Sequence, residues 1–201
     1  MGPQGLAADQ KKATRLKAHL VFEDESGFFL NPLVRRTWAV AGQTPILHPR
    51  GRWHQHLSVV GAISISPRRR RLGLLLRLHP DQSVNQDRVI EFLRQLLRQL
   101  PGHIVLVWDR LPAHRGAQVR KFLKRHPRLH IEFLPAYAPE LNPVEYLWSW
   151  LKTNPLANRC SPDLDQLSDD LLNGSEPLFS NQHTLRGFVH ATKLPIRFPS
   201  S

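Results

Sequence analysis

Ile104-Val105-Leu106-Val107-Trp108-Asp109 is the stretch that decides the fold: five consecutive apolar residues, then an acid. A short unbroken apolar run fits a central strand covered on both faces, because a strand with one wet face would alternate. Carboxylates at the carboxyl ends of such strands stand where open α/β sheets build their sites. The same pattern occurs upstream, where Leu20-Val21-Phe22 runs into Glu23-Asp24-Glu25.

Working outward from Ile104, the preceding segment repeats Val89, Ile90, Phe92, Leu93, Leu96, Leu97 and Leu100 at helical spacing. Ser83 is its expected N-cap, and Pro101-Gly102 stops it. After Asp109, Val119, Phe122 and Leu123 mark a second helix closed by Pro127, Leu129 to Leu134 a short strand, and Pro135 to Pro139 a loop. Asn142-Pro143 then opens a helix with a capping side chain and proline at the first helical position. Val144, Leu147, Trp148 and Leu151 form its apolar face.

Upstream, two hairpins are expected. Arg35 to Val40 would turn through Gly42 and Pro45 into Ile46-Leu47, and Leu57 to Ile65 would pair with Leu72 to Leu78 across a tip carrying Arg68, Arg69, Arg70 and Arg71. Beyond Asn154-Pro155 one more helix is expected around Leu164, Leu167, Leu171 and Leu172, and Leu185, Phe188 and Val189 suit a short docking helix in the tail. The order of elements is that of an α/β protein with a mixed sheet of about five strands flanked by helices, with an inserted β-hairpin. Residues 1–18 read as a basic lead-in, either a short helix or a linker, 19–175 as the domain and 176–201 as a C-terminal tail.

At 201 residues the chain is long enough for one core, and 41% hydrophobic residues argue against wholesale disorder. The net charge of +12 points to a phosphate-bearing partner, nucleic acid first, with a merely soluble arginine-rich protein as the plain alternative. No apolar run approaches the length of a membrane span, and the polar, basic amino terminus lacks a secretory pattern, so an intracellular, cytoplasmic location is expected. The single Cys160 excludes an internal disulfide and a cysteine-cluster zinc site. His54 and His56 would share a strand face, suiting phosphate contact better than a metal without a third ligand.

Acids are scarce where they matter. Between Glu25 and Asp81 there is none, against nine arginines, and between Asp109 and Glu132 none, against seven Lys or Arg. Asp24 and Asp109 would face each other if their strands are neighbours, and Glu145, one turn into its helix, can reach the same place. Three clustered carboxylates repel unless a cation lies among them, and hard oxygen ligands select Mg²⁺ or Mn²⁺. Each acid also has an ordinary reading. Asp24 could be part of a solvated strand end, and Glu145, three residues after Asn142, could close a capping box.

The surroundings of the three acids resemble the mariner-like and bacterial insertion-sequence DDE transposases. The matching residues are Phe22-Glu23-Asp24-Glu25-Ser26-Gly27-Phe28, Trp38 with Gly42-Gln43-Thr44-Pro45, Val107-Trp108-Asp109 with Pro112-Ala113-His114, and Leu134-Pro135-Ala136-Tyr137-Ala138-Pro139-Glu140-Leu141-Asn142-Pro143-Val144-Glu145 with Trp148. The last is the most specific, and the 35 residues between Asp109 and Glu145 fit the spacing of such enzymes. The resemblance implies an RNase H-like fold and a site of two Mg²⁺ or Mn²⁺ ions held by Asp24, Asp109 and Glu145. It also implies cleavage of double-stranded DNA at transposon ends and transfer of the freed 3′-hydroxyl to target DNA, by a dimer when active. Arg68 to Arg71, Arg115, Arg120, Lys121, Lys124 and Arg125 are the candidate phosphate contacts. A catalytically inactive DNA-binding remnant and a relaxed RNase H-like nuclease are the alternatives.

Two departures accompany the resemblance. Arg110 stands where the family usually has Asn, and a guanidinium beside a metal ligand competes with the cation unless it points at DNA. The 18 residues before the domain cannot hold the helix-turn-helix domains of such enzymes, so the chain reads as the catalytic half alone: either the partner of an upstream helix-turn-helix half supplied separately or by frameshift, or a truncated relic.

Overall fold

The computed structural model describes residues 10–31, 33–47, 55–135, 137–192 and 194–199. Its frame is a five-stranded sheet of order β3-β2-β1-β4-β5, with β1 His19–Phe29, β2 His56–Ile65, β3 Leu72–Pro80, β4 Ile104–Trp108 and β5 Leu129–Phe133. The first three strands meander antiparallel, and β1, β4 and β5 run parallel. β4 is an interior strand, between β1 and β5, and is wholly buried, as its unbroken apolar run requires.

Strand alternation divides the core into two layers. Leu20, Phe22, Val105 and Val107 face the helices α3 Pro143–Thr153, α4 Leu164–Ser180 and α5 Gln182–Ala191, while Val21, Ile104, Leu106 and Trp108 face α1 Gln86–Gln99 and α2 Ala117–Lys124. The tail helix α5 buries Leu185, Phe188 and Val189, the three residues that marked it in the sequence. Residues 10–15 are helical and belong to the core: Ala13 is buried, and Lys12 Nζ meets Glu132 Oε1 at 2.6 Å.

Two expectations are corrected. The first hairpin has no strands: residues 33–47 carry a turn at Ala41-Gly42 and nothing paired, with Val34, Trp38, Val40 and Ile46 exposed. The start of this segment is held by Asn158, whose amide donates to the Leu33 carbonyl and whose side chain bonds both backbone groups of Arg35, in place of a strand partner. The N-cap of α1 is Asn85, whose side chain accepts from the Arg88 amide at 3.1 Å, and not Ser83. Helix α4 runs on through Pro177 to Ser180. Proline there removes a single hydrogen bond in the last turn. Among the described residues no helix is long and apolar enough to cross a membrane. His54, Ala136 and lead-in residues 1–9 lie outside the described residues.

Candidate active site

β1 and β4 are parallel neighbours, with Val21 opposite Leu106 and Phe22 opposite Val107. Carrying that register two residues further sets Asp24 beside Asp109, at the carboxyl ends of both strands. By alternation both follow the α3 face, as Phe22 and Val107 do, whereas Glu23 and Glu25 turn to the other.

Asn142 brings in the third acid. Its Oδ1 caps α3 by accepting from the Val144 amide at 3.2 Å, and its Nδ2 donates to the Glu23 carbonyl at 3.0 Å, which hooks the helix start onto β1 next to Asp24. The Asn142 amide donates to the Pro139 carbonyl at 2.8 Å, so the donor that a capping-box Glu145 would take is already engaged. Glu145 lines a cleft of about 180 Å³ together with Asp24 and Asp109. Tyr137, fully exposed with φ 58°, stands on its rim.

The two aspartates are held differently. Burial, then the charge of Glu145, pushes Asp24 up to about 7, with Glu25 and Asp109 adding to the rise and a hydrogen bond from Trp148 opposing it. That bond runs from indole Nε1 to Asp24 Oδ2 at 2.9 Å. Burial would also raise Asp109, but His114 and the Leu111 amide outweigh it and hold this carboxyl below the usual range. Both bonds fall on Oδ1, from His114 Nδ1 at 2.9 Å and Leu111 N at 2.9 Å. Hydrogen bonds therefore engage one oxygen of each aspartate, leaving the second for a cation.

Behind Asp109 lies a buried charge cluster. His114 Nε2 is 3.0 Å from Glu25 Oε1 and 3.7 Å from Glu23 Oε2, and its ring stacks on Trp108 at 4.2 Å. Burial would lower His114, yet the bonds to Asp109 and Glu25 and the charges of Glu23 and Glu25 raise it to about 10. Burial and the charge of Glu25 push Glu23 well above the carboxylate range against the pull of His114. Glu23, Glu25 and His114 lie close enough to resemble a ligand set. Both imidazole nitrogens face carboxylate oxygens, however, and a protonated ring has no lone pair for a metal. The set is an ion-paired support, and Glu23, 1% exposed, is no solvated strand end.

Sequence reasoning placed Trp148 and His114 in the motifs without assigning them contacts, and it missed Gly61. Gly61 is opposite Asp24 in β2, and a Cβ there would lie 2.4 Å from the Trp148 ring, so the missing side chain admits the indole. The one available signal was spacing: Glu145, Trp148 and Lys152 fall on one helix face. Arg110 lies over the Phe133 ring at 5.6 Å. Of the nine candidate phosphate contacts, Arg115 is close enough to Asp109 to lower it, and Arg120, Lys121, Lys124 and Arg125 are on or just after α2 at the surface. Arg68 to Arg71 sit beyond Ile65, which pairs with Leu20 near the amino-terminal end of β1, away from Asp24. His56 lies at the start of β2, tilted against Phe29.

A mixed sheet that sets two strand-end aspartates beside a helix-borne glutamate defines a class, the RNase H-like DDE proteins. Residues 19–168 match the family described as DDE superfamily endonuclease, and the chain belongs to it. An uncharacterized protein y4pE/y4sA of Sinorhizobium fredii is 31% identical over 104 residues, 52% of this chain and 73% of the relative. The insertion element IS630 39 kDa protein of Shigella sonnei is 26% identical over 153 residues, 71% of this chain and 43% of that protein. The Mos1 transposase paired-end complex with left transposon end superposes with a TM-score of 0.65 at 21% identity, over 96% of this chain and 56% of that one, which establishes the fold. Other similar Mos1 paired-end complexes contain Mn or Mg. The chain thus spans about half of the Mos1 and IS630 proteins.

Proposed function

We propose that this chain is the catalytic domain of a DNA transposase, cutting DNA strands at transposon ends and joining the freed 3′-hydroxyl to target DNA. The single observation that carries the reading is the meeting of Asp24, Asp109 and Glu145 around one cleft. Their donor set fits a hard divalent ion: carboxylates only, two of them with one oxygen held and one free, and Asp24 raised by burial and by the charges of its neighbours. Asp24, Asp109 and Glu145 would hold Mg²⁺ or Mn²⁺, two ions as such chemistry commonly uses, and these supply Lewis acidity for phosphodiester cleavage.

The chain's own groups do the remaining work. Trp148 orients Asp24, and the Asn142 hook places Glu145. Arg115, whose charge lowers Asp109, offers a phosphate contact beside the cleft, and Arg120, Lys121, Lys124 and Arg125 extend the exposed basic surface along α2. The substrate is double-stranded DNA at the bacterial nucleoid, recognised with the help of a helix-turn-helix half, in a dimer. Arg110, parked over Phe133, leaves the ligands undisturbed.

The test is nicking of a supercoiled or end-bearing duplex by the purified chain with Mg²⁺ or Mn²⁺. Wild type should nick, and Asp109→Ala should retain salt-sensitive DNA binding while losing cleavage. Equal nicking by both proteins would remove the assignment.

A further inference from the structure

We propose that His114 is a positioning residue for the metal site, its imidazole fixing the rotamer of Asp109 so that the free Oδ2 is presented to the cation. The inference rests on the reading of the cleft as a divalent-metal site. His114 leaves the chain five residues after Asp109, and its Nδ1 lies 2.9 Å from Asp109 Oδ1 and 3.3 Å from the Asp109 carbonyl. The ring is itself immobilised: Glu25 Oε1 takes Nε2 at 3.0 Å, and the Trp108 indole lies parallel to it at an interplanar angle of 5°.

The imidazole is fully buried, so its geometry is set by packing. It also links three chain segments. Glu25 is one residue beyond Asp24 on β1, Trp108 ends β4, and His114 lies in the loop before α2. The strand that supplies one aspartate thereby braces the other. A carboxylate with half its hydrogen-bonding capacity spent on a fixed donor has one orientation left for a metal. Loss of such a support generally costs a metal site about 10- to 100-fold in affinity or activity.

His114→Asn and His114→Gln separate positioning from mere stability. Asn places its amide near the position of Nδ1 and can still donate to Asp109, whereas Gln places its amide near Nε2, reaching Glu25 and abandoning Asp109. Mn²⁺ binding to the whole chain, without DNA, is measured from the electron paramagnetic resonance signal of the free ion, with thermal unfolding alongside. The expected result is Mn²⁺ affinity near wild type for His114→Asn and weaker by about 10- to 100-fold for His114→Gln.

Wild-type affinity in both variants, or equal weakening in both, overturns the assignment. If His114→Gln does not fold, His114→Asn decides alone: retained Mn²⁺ binding supports the role and a loss of about tenfold ends it. A wild-type chain that binds no Mn²⁺ would overturn the metal reading and this inference together, which is distinct from wild-type binding that the variants leave untouched.

Discussion

Asp24 is a liability to the fold whenever no cation is present. It ionises near 7 in the folded protein against an ordinary 3.8, because burial and three neighbouring carboxylates disfavour its charge. A raised carboxyl gives a definite sign. Below 3.8 the group is neutral folded and unfolded, and no penalty exists; as pH rises through the interval the unfolded chain releases its proton first, and above about 7 the penalty is complete. Asp24→Asn in chelator should therefore raise the melting temperature at pH 8 and leave it little changed at pH 4, with about 4 kcal/mol as the upper bound for a shift of roughly three units. Mn²⁺ should raise the melting temperature of wild type and have far less effect on the variant. An equal gain at both pH values would show that ionisation is not its source. Arg110→Asn should leave Mn²⁺-dependent nicking unchanged, since the guanidinium contacts Phe133 and no ligand; a large rise on substitution would mean that Arg110 does oppose the cation. The acids were legible because each ends an apolar run or opens a capped helix. Trp148 on Asp24 and His114 on Glu25 join residues 124 and 89 positions apart, which local periodicity does not encode.

Among the elements, α3 shows how one residue converts a local signal into a site. Asn142-Pro143 was readable as a helix start, and the structure uses the same Asn142 side chain twice, as cap and as hook to the Glu23 carbonyl. Asn142→Ala removes the cap, worth ~1 kcal/mol, and strands a buried carbonyl at a further ~1–3 kcal/mol. The variant should be destabilised by about 2–4 kcal/mol in urea unfolding by that sum. Asn142→Asp keeps the capping oxygen but not the donor, so it separates the two contributions. If both variants unfold at the wild-type midpoint, Asn142 is not what anchors α3. The segment 33–47 teaches the opposite lesson. Its apolar and β-branched residues read as strands, yet the backbone at Leu33 and Arg35 bonds to Asn158 and not to a neighbouring strand. Pairing partners are a property of the sheet, and a sequence window does not contain them.

At the scale of the whole molecule, the charge of +12 marked a polyanion partner but not where it lies. Register supplies the missing geometry. Gly61 is opposite Asp24, and β2 runs only four residues further to Ile65, about 13 Å at roughly 3.3 Å per residue, before the turn that carries Arg68 to Arg71. The tip therefore lies more than one Debye length, about 8 Å at physiological salt, from the cleft, and its field there is screened. Some of its capacity is also committed, with an Arg69 nitrogen 3.3 Å from Thr14 Oγ1 and the Arg70 carbonyl bound by Arg186. Arg115 and α2, by comparison, begin beside Asp109. Replacing Arg68 to Arg71 with Gln should leave the nicking rate and its salt dependence near wild type. Replacing Arg115, Arg120 and Lys121 with Gln should flatten the slope of log affinity against log salt by about 0.9 for each phosphate no longer neutralised, and slow nicking at subsaturating DNA. The reverse ranking would place the duplex across the hairpin tip, and the cleft would then have to act on DNA held mainly from the opposite end of the strands.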